Sequence, residues 1–415
     1  MKQLCLLLVS LAVGCGSSDA DAPLGPPVLH GVPGCESIDP KRCDVRLPDC
    51  QQRLLSMAAC LRGESALEPP AIQVLSEADY ASSLARELGA QVQDPNSELI
   101  EAGFSLLGLI EHGALSTQAR AEDYAKFAAG IYRNDTKDIL IIDHGEAFDA
   151  EAVSPTLVHE FVHALQDRDL GLSAFKAQAN SVDESWAYSA MIEGEATLHE
   201  TRYGAAMLGL DSTEVDWNAH FQNALAHDEQ SLLEEASPYR ASYKYFPYEW
   251  GARYMYFTWL AGGTDAIFSR FSLPPELTHT LLASTMGAVD SDIEPNSPVL
   301  AAPPPEWTQI LQTTLGAWGT YLAFEKTATT LDSVRALALA WRGDTLGIYA
   351  SPETPARSAV LWRLDFADDA MANQAKAAAE RIVGAANVSQ KGQRVLIAKT
   401  DGSSSVAWAF RFDWR

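Results

Sequence analysis

Two imidazoles four residues apart, with a carboxylate directly after the first, are suited to metal-assisted hydrolysis. The chain carries this set at His159, Glu160 and His163, within Ser154-Pro-Thr-Leu-Val-His-Glu-Phe-Val-His-Ala-Leu-Gln-Asp167. On an α-helix, residues four apart lie one turn apart on the same face. His159 and His163 can therefore offer two nitrogens to one metal ion. Glu160 points to the side, placed to take a proton from a water at that metal. The blander alternative is two core histidines and a surface glutamate.

Chemistry of this kind needs a helix, and the local sequence provides one. Ser154 suits the N-cap and Pro155 the first helical position. Neither Gly nor Pro recurs until Gly171. Leu157, Phe161 and Leu165 repeat at helical spacing and form an apolar stripe that would bury the helix. A catalytic zinc site takes three protein ligands and keeps one position open. The third is best sought in Ser185-Trp-Ala-Tyr-Ser-Ala-Met-Ile-Glu193-Gly-Glu195-Ala-Thr-Leu-His199-Glu200, which reads as a second helix despite Gly194. Gly inside a helix costs about 1 kcal/mol relative to Ala, so close approach of another helix is the expected reason for it. Ala190, Gly194 and Thr197 form a small-residue face beside Glu193.

With both stretches in view, HEFVHALQD followed by IEGEA resembles the gluzincin-type zinc metallopeptidases. More narrowly, it is similar to bacterial metallopeptidases, often lipoproteins. These carry an HExxHALQD helix, a Glu-Gly-Asp/Glu-Ala-Thr helix and a Phe-Pro-Tyr-x-x-Gly segment, matched here by Phe246-Pro247-Tyr248-Glu-Trp-Gly251. The resemblance spans roughly residues 75 to 385, and its first two motifs are the specific ones. It implies a zincin-like core, Zn²⁺ as the metal and Glu193 as third ligand. Glu195 is the runner-up and His199 the next choice; ordinary surface glutamates are the other reading. Tyr248, in the shared third segment, becomes the candidate donor to a developing oxyanion, against a buried tyrosine with a satisfied hydroxyl. A His expected after the Pro-Pro segment is displaced here to His279, in Pro274-Pro275-Glu-Leu-Thr-His279.

The first residues carry one positive charge and a short apolar run, as a secretory signal does. Leu11-Ala-Val-Gly-Cys15 resembles a bacterial lipobox, which would leave a lipid on Cys15; an ordinary cleaved signal is the alternative. Residues 16–34 read as a flexible tether. Cys35, Cys43, Cys50 and Cys60 follow. Four cysteines in an exported chain suggest two disulfides, with three connectivities open.

The expected fold class is α+β. A mostly helical core over residues 67–288 follows signal (1–14), tether (15–34) and Cys-rich subdomain (35–66). A Pro-rich linker or loop (289–305) leads to a C-terminal α+β module (306–415). Helices are expected at Glu77 to Leu88, Ser97 to Glu111, Thr117 to Ile131, Asp216 to Ala236 and Glu249 to Leu260, the last ended by Gly262-Gly263. Asp138-Ile-Leu-Ile-Ile-Asp143 is β-type and lies just before the metal helix. It reads as an edge for an extended substrate or as a plain buried strand, with His144 and Glu146 near the cleft. The module reads as helices at Trp307 to Tyr321 and Leu331 to Ala340, strands at Thr345 to Tyr349 and Ser358 to Phe366, a helix at Ala370 to Val383, and a hairpin around Asp401-Gly402. That hairpin would pair Arg394 to Lys399 with Ser405 to Phe412.

A formal net charge of −25 argues against nucleic acid and anionic lipid head groups as partners. Membrane association would run through a lipid on Cys15, placing the protein in a bacterial cell envelope. The functional expectation is peptide-bond hydrolysis on a peptide or protein substrate: zinc on His159, His163 and Glu193, Glu160 as general base, Tyr248 as oxyanion donor. Asp167, on the same helix face, is a candidate to orient a ligand ring, a backbone carbonyl or a water being the alternatives. Three other readings stay open. They are a metal-binding surface lipoprotein without catalysis, a scaffold working through its C-terminal module, and a di-iron bundle using Glu160-x-x-His163 with Glu276-x-x-His279.

Overall fold

The computed structural model describes residues 35–401, apart from residues 36, 67, 91–94, 112–116, 146–147, 211–214, 287–292, 301, 329 and 354–355. The signal segment, Cys15, the tether, Glu146 and the strand expected at Ser405 to Phe412 lie outside the described residues. Within them the chain is α+β, with many helices and two small sheets.

Helix α1 (Pro48–Leu61) comes first, flanked by the nested disulfides Cys35–Cys60 and Cys43–Cys50. It is part of the main body. Leu54, Leu55 and Ala58 share one apolar cluster with Leu157, Phe161 and Val162 of the metal-motif helix.

The first sheet has three strands: β1 (Ala71–Ser76), β2 (Gly130–Arg133) and β3 (Asp138–Asp143), in the order β1-β3-β2. Asp138–Asp143 is the central strand, parallel to β1 and antiparallel to β2, so of its two readings it takes that of a buried strand and offers no free edge. Its four consecutive apolar residues, Ile139 to Ile142, are buried on both faces, as suits a central strand. The helix expected to reach Ile131 ends earlier. Helices α2 (Glu77–Ala90), α3 (Ser97–Leu106) and α4 (Thr117–Phe127) precede β2, and Gly130-Ile-Tyr-Arg133 pairs with β3. Ile131 and Tyr132 are β-favouring residues once a partner strand is present.

The metal-motif helix, α5, spans Ser154–Leu170. Pro155 occupies its first turn, and Gly171, at φ +64°, closes it in the left-handed region. Ser154 is not the N-cap; Val153 is. The Ser154 hydroxyl instead donates to the Glu151 carbonyl (2.7 Å) and accepts the Cys43 N–H (3.2 Å), tying the helix start to the disulfide segment. After the short α6 (Leu172–Lys176), the 26-residue α7 (Val182–Met207) begins with the Ser181 hydroxyl accepting the Glu184 N–H. Then come α8 (Trp217–Glu234), α9 (Pro238–Tyr245), a π-helical turn at Phe246–Trp250, and α10 (Gly251–Ser272). Gly262 and Gly263 both leave helical geometry, Gly263 at φ +67°, so the first helical segment of α10 ends there as expected and a second one follows across a kink.

Helix α11 (Thr278–Thr285) leads toward the second sheet. The stretch expected as one helix, Trp307 to Tyr321, divides into strand β4 (Thr308–Thr313) and helix α12 (Gly316–Phe324). Gly316, at φ +73°, makes the corner, and no side chain fits there: an added Cβ would lie 1.8 Å from a carboxylate oxygen of Asp183. Helix α13 (Leu331–Ala340), strands β5 (Trp341–Ala350) and β6 (Ser358–Phe366), helix α14 (Asp369–Val383) and strands β7 (Val388–Lys391) and β8 (Arg394–Thr400) complete the described chain. The sheet order is β4-β5-β6-β8-β7, antiparallel throughout. β8 forms its hairpin with β7 through Gly392 (φ +58°), upstream of the expected position.

One apolar cluster runs from Phe104 to Ile397 and includes both the helices around the metal motif and the second sheet. Trp318 of α12 stacks on Phe246 of the π turn, with centroids 4.4 Å apart. The C-terminal residues thus form the floor on which the π turn sits. No helix among the described residues is long and apolar enough to cross a membrane.

Candidate metal centre

Helix α7 positions the third candidate ligand, and Gly194 decides how. A Cβ on Gly194 would lie 2.2 Å from the Gly251 carbonyl carbon, and one on Gly251 would lie 2.1 Å from the Ala190 carbonyl oxygen. Two backbones therefore touch where α7 crosses the start of α10. The crossing sets Glu193 and the Phe246–Trp250 turn beside each other. Gly194→Ala is expected to destabilise the fold by about 1–3 kcal/mol, the usual cost of forcing extra atoms into close packing. A urea titration would show the midpoint falling with little change in slope. An unchanged midpoint would mean that the crossing is looser than it looks.

His159, His163 and Glu193 are brought together. Among the described residues they form the one group of three or more His, Cys, Asp or Glu side chains whose donor atoms converge as metal ligands do. His159 Nε2 and His163 Nε2 lie 3.0 Å apart. They lie 3.3 and 3.1 Å from Glu193 Oε2. All three side chains are mostly buried.

The outer nitrogens settle what the inner ones offer. His159 Nδ1 is 3.1 Å from Glu200 Oε2, a carboxylate that only accepts, so Nδ1 carries the hydrogen. His163 Nδ1 is 2.8 Å from Gln166 Oε1. The Gln166 amide orientation is fixed, because its nitrogen donates to the Ile192 carbonyl (2.9 Å) and to Glu195 Oε2 (2.8 Å). His163 therefore also donates through Nδ1. Both Nε2 atoms then present lone pairs to a carboxylate oxygen, and such a cluster requires a positive charge at its centre, a proton or a metal ion. Protonation shows the same demand. Burial opposes charge on His159, but hydrogen bonds from Glu193 and Glu200 outweigh it and raise its pKa well above 6.5. Burial likewise opposes charge on Glu193, and His163 and His159 overcome it, holding its pKa well below 4.5.

The other sequence candidates divide. Glu195, two residues after Glu193 and so on nearly the opposite side of α7, is not in the cluster. Its Oε1 accepts from Arg62 Nε at 2.9 Å, in an ion pair whose two side chains are fully enclosed. Burial pushes against its charge, yet the Arg62 guanidinium holds its pKa down to about 2. His199 sits beside Arg202, with 3.2 Å between Nδ1 and Nη1, away from the ligands. His279 is buried in α11, its Nε2 3.0 Å from the Leu339 carbonyl, so the second Glu-x-x-His does not approach the first. Asp167, the candidate to orient a ligand ring, instead accepts from the Tyr132 hydroxyl (2.8 Å), the Leu172 N–H (2.9 Å) and Lys137, because its side chain turns toward β2. His144 is 2.9 Å from Glu77 and 3.0 Å from the Ala128 carbonyl, and it lines a different hollow.

Gln166 and Glu200, not Asp167, hold the rings. Gln166 stands one turn after His163, and Glu200 two turns after Glu193, so helical spacing was the available signal.

Glu160 and Tyr248 line one cleft of about 410 Å³ together with His159. Glu160 is buried and accepts the Tyr132 N–H at 2.6 Å. Gly130 makes room for it, since a Cβ there would meet Glu160 Oε1 at 2.9 Å. Burial pushes the Glu160 pKa up, partly offset by the two imidazoles. The Tyr248 ring stacks over the His159 ring at 6.0 Å, held by the π turn. Burial, then the Glu193 charge, push its hydroxyl pKa well above 10, so it remains a hydrogen-bond donor.

Compared with known proteins, the chain matches no family model, no curated protein and no solved structure.

Proposed function

We propose that the protein is a zinc-dependent peptide hydrolase. The observation that carries this reading is the convergence of two imidazole lone pairs and a carboxylate oxygen beside a buried, cleft-lining glutamate. Zinc bonds to nitrogen and oxygen of about 2.0–2.1 Å place tetrahedral donors about 3.3 Å apart. The separations of 3.0, 3.1 and 3.3 Å are close to that. His159, His163 and Glu193 would hold the ion, and Glu200 and Gln166 would fix the ring orientations.

A zinc ion held there would supply Lewis acidity toward water and toward a peptide carbonyl. The remaining work falls to the chain's own groups. Glu160 takes the proton of the attacking water and returns it to the leaving amine. Its raised pKa suits a group that must both accept and release that proton. Tyr248 donates to the oxygen that gains charge as the carbonyl is attacked. Tyr124, Phe127 and Tyr245 line the same cleft and give it aromatic walls.

Two disulfides fit an oxidising compartment. With the secretory reading of the first residues, this supports an exported protein of the bacterial envelope, anchored by a lipid on Cys15.

The test is cleavage of a mixed peptide library by the purified chain, read by mass spectrometry. Cleavage should vanish after treatment with 1,10-phenanthroline and return on addition of zinc. Cleavage indifferent to chelation would contradict the reading.

A further inference from the structure

The cleft that holds Glu160 also contains acids with no assigned task. Asp228, from α8, and Glu249, from the π turn, line it and are buried to 8% and 9% residual exposure. Among the described residues, neither joins an ion pair. Glu249 Oε2 is enclosed and has no hydrogen-bond partner. His220, 3% exposed and lining the same cleft, has neither ring nitrogen bonded. Lys244 lines the cleft too, but its ammonium is taken by Asp123 at 2.7 Å.

Buried carboxyls without a cation are costly, and each unsatisfied polar group in a native interior calls for a reason. A metal is not that reason, because these oxygens do not converge with a third donor. Their environment favours a different cation. Tyr124, Tyr245 and Tyr248 line the space, and aromatic faces attract ammonium and guanidinium groups. Burial pushes the Asp228 pKa well up, with Glu249 and Glu229 adding to it. Burial also raises Glu249, to about 7, with Glu200 adding. An incoming positive charge would relieve both. Burial lowers the His220 pKa, so its neutral ring keeps a lone pair for an N–H donor.

We propose that Asp228 and Glu249, with His220, form a subsite that takes a positively charged group of a peptide, an ammonium or a guanidinium. Glu249 directly follows Tyr248, whose ring covers His159, so the subsite adjoins the proposed point of cleavage. This inference rests on the hydrolase reading for its substrate class, but it can fail separately. Two sources carry this cationic chemistry, a Lys or Arg side chain and a free peptide amino terminus.

The test is calorimetric titration of the full exported chain carrying Glu160→Gln, so that peptides bind without being cut. N-acetylated pentapeptide amides with a central Lys, Arg or norleucine are compared, alongside the norleucine peptide with a free amino terminus. At least one cationic peptide is expected to bind about tenfold or more tighter than the acetylated norleucine peptide, the order of gain for a charge pair formed out of water. A gain confined to Lys and Arg would assign the subsite to a side chain; one confined to the free terminus would assign it to the amino end. Either gain should disappear with Asp228→Asn and Glu249→Gln together. These isosteric changes remove buried like charges, so the variant should unfold in urea no earlier than its parent. Equal affinity for charged and neutral peptides, a preference that survives the double substitution, or no saturable binding by any of the set would each overturn the proposal. Cleavage by the unsubstituted chain is scored separately. Cleavage without charge preference would sink the subsite and spare the hydrolase; charge preference without cleavage would do the reverse.

Discussion

Glu160→Gln is expected to lower kcat for peptide hydrolysis by about 10²–10⁴-fold, the usual range for loss of a positioned general base. The substitution keeps the shape of the side chain. Its amide oxygen can still accept the Tyr132 N–H, now 2.6 Å from Glu160 Oε2, and the neighbouring Gly130 still leaves room. Glu160 is not among the three converging donors, so metal content and KM should change little. A fall in kcat alone separates a proton-transfer role from a binding one. Single-turnover measurement on the wild type and variant would read it directly. Activity retained within about tenfold would remove Glu160 from the chemistry.

The second large effect concerns stability. Glu195→Ala should cost about 3–5 kcal/mol, because it strips the enclosed Arg62 guanidinium of a buried partner. Arg62 is fully enclosed, and its remaining partners, Glu64 at 2.8 Å and Asp169 at 3.1 Å, are nearer solvent. The same change removes one of the two acceptors of the Gln166 nitrogen, leaving the Ile192 carbonyl, and so loosens the amide whose oxygen holds His163 Nδ1. Metal affinity should therefore fall as well, by about 10–100-fold, as when a hydrogen-bond partner of a ligand is lost. Replacing both members, Arg62→Met with Glu195→Leu, should restore much of the stability, since no charge is then stranded. Urea unfolding of the cycle would measure both. A loss below about 0.5 kcal/mol for Glu195→Ala would show that the pair contributes no more than an exposed one. The pH dependence has a definite sign. Glu195 titrates lower in the fold than its ordinary 4.5, at about 2. The stabilisation is thus present above pH 4.5 and lost as pH falls toward about 2.

This Arg62–Glu195–Gln166–His163 chain links the disulfide-held α1 to a candidate metal ligand. It joins residues 133 apart in sequence, which no local pattern signals. The metal helix itself was legible because its cues are local: Pro155, the Leu157–Phe161–Leu165 stripe and Gly171 all act within one element. Helix α7 was legible too, although the use of Gly194, contact with the α10 backbone, depends on packing. The errors have a common cause. Gly130-Ile131 reads as the end of a helix until β3 supplies a partner. Thr308–Thr313 reads as helix until β5 does. Among the candidate ligands, His159 and His163 follow from spacing alone. Glu193 and Glu195 could not be separated by spacing, and their separation came from Arg62, which neutralises one of them in the interior. Asp167 shares a helix face with the ligands, yet Tyr132 and Lys137 draw it to β2.

The most direct test of the metal centre is the metal content of the purified chain, prepared without chelators and measured by inductively coupled plasma mass spectrometry, for the wild type beside Glu193→Ala. The expected result is one zinc ion per wild-type chain and a folded variant that has lost it. A folded wild type without metal, or a variant that keeps its full zinc content, would contradict the assignment of His159, His163 and Glu193 as its ligands.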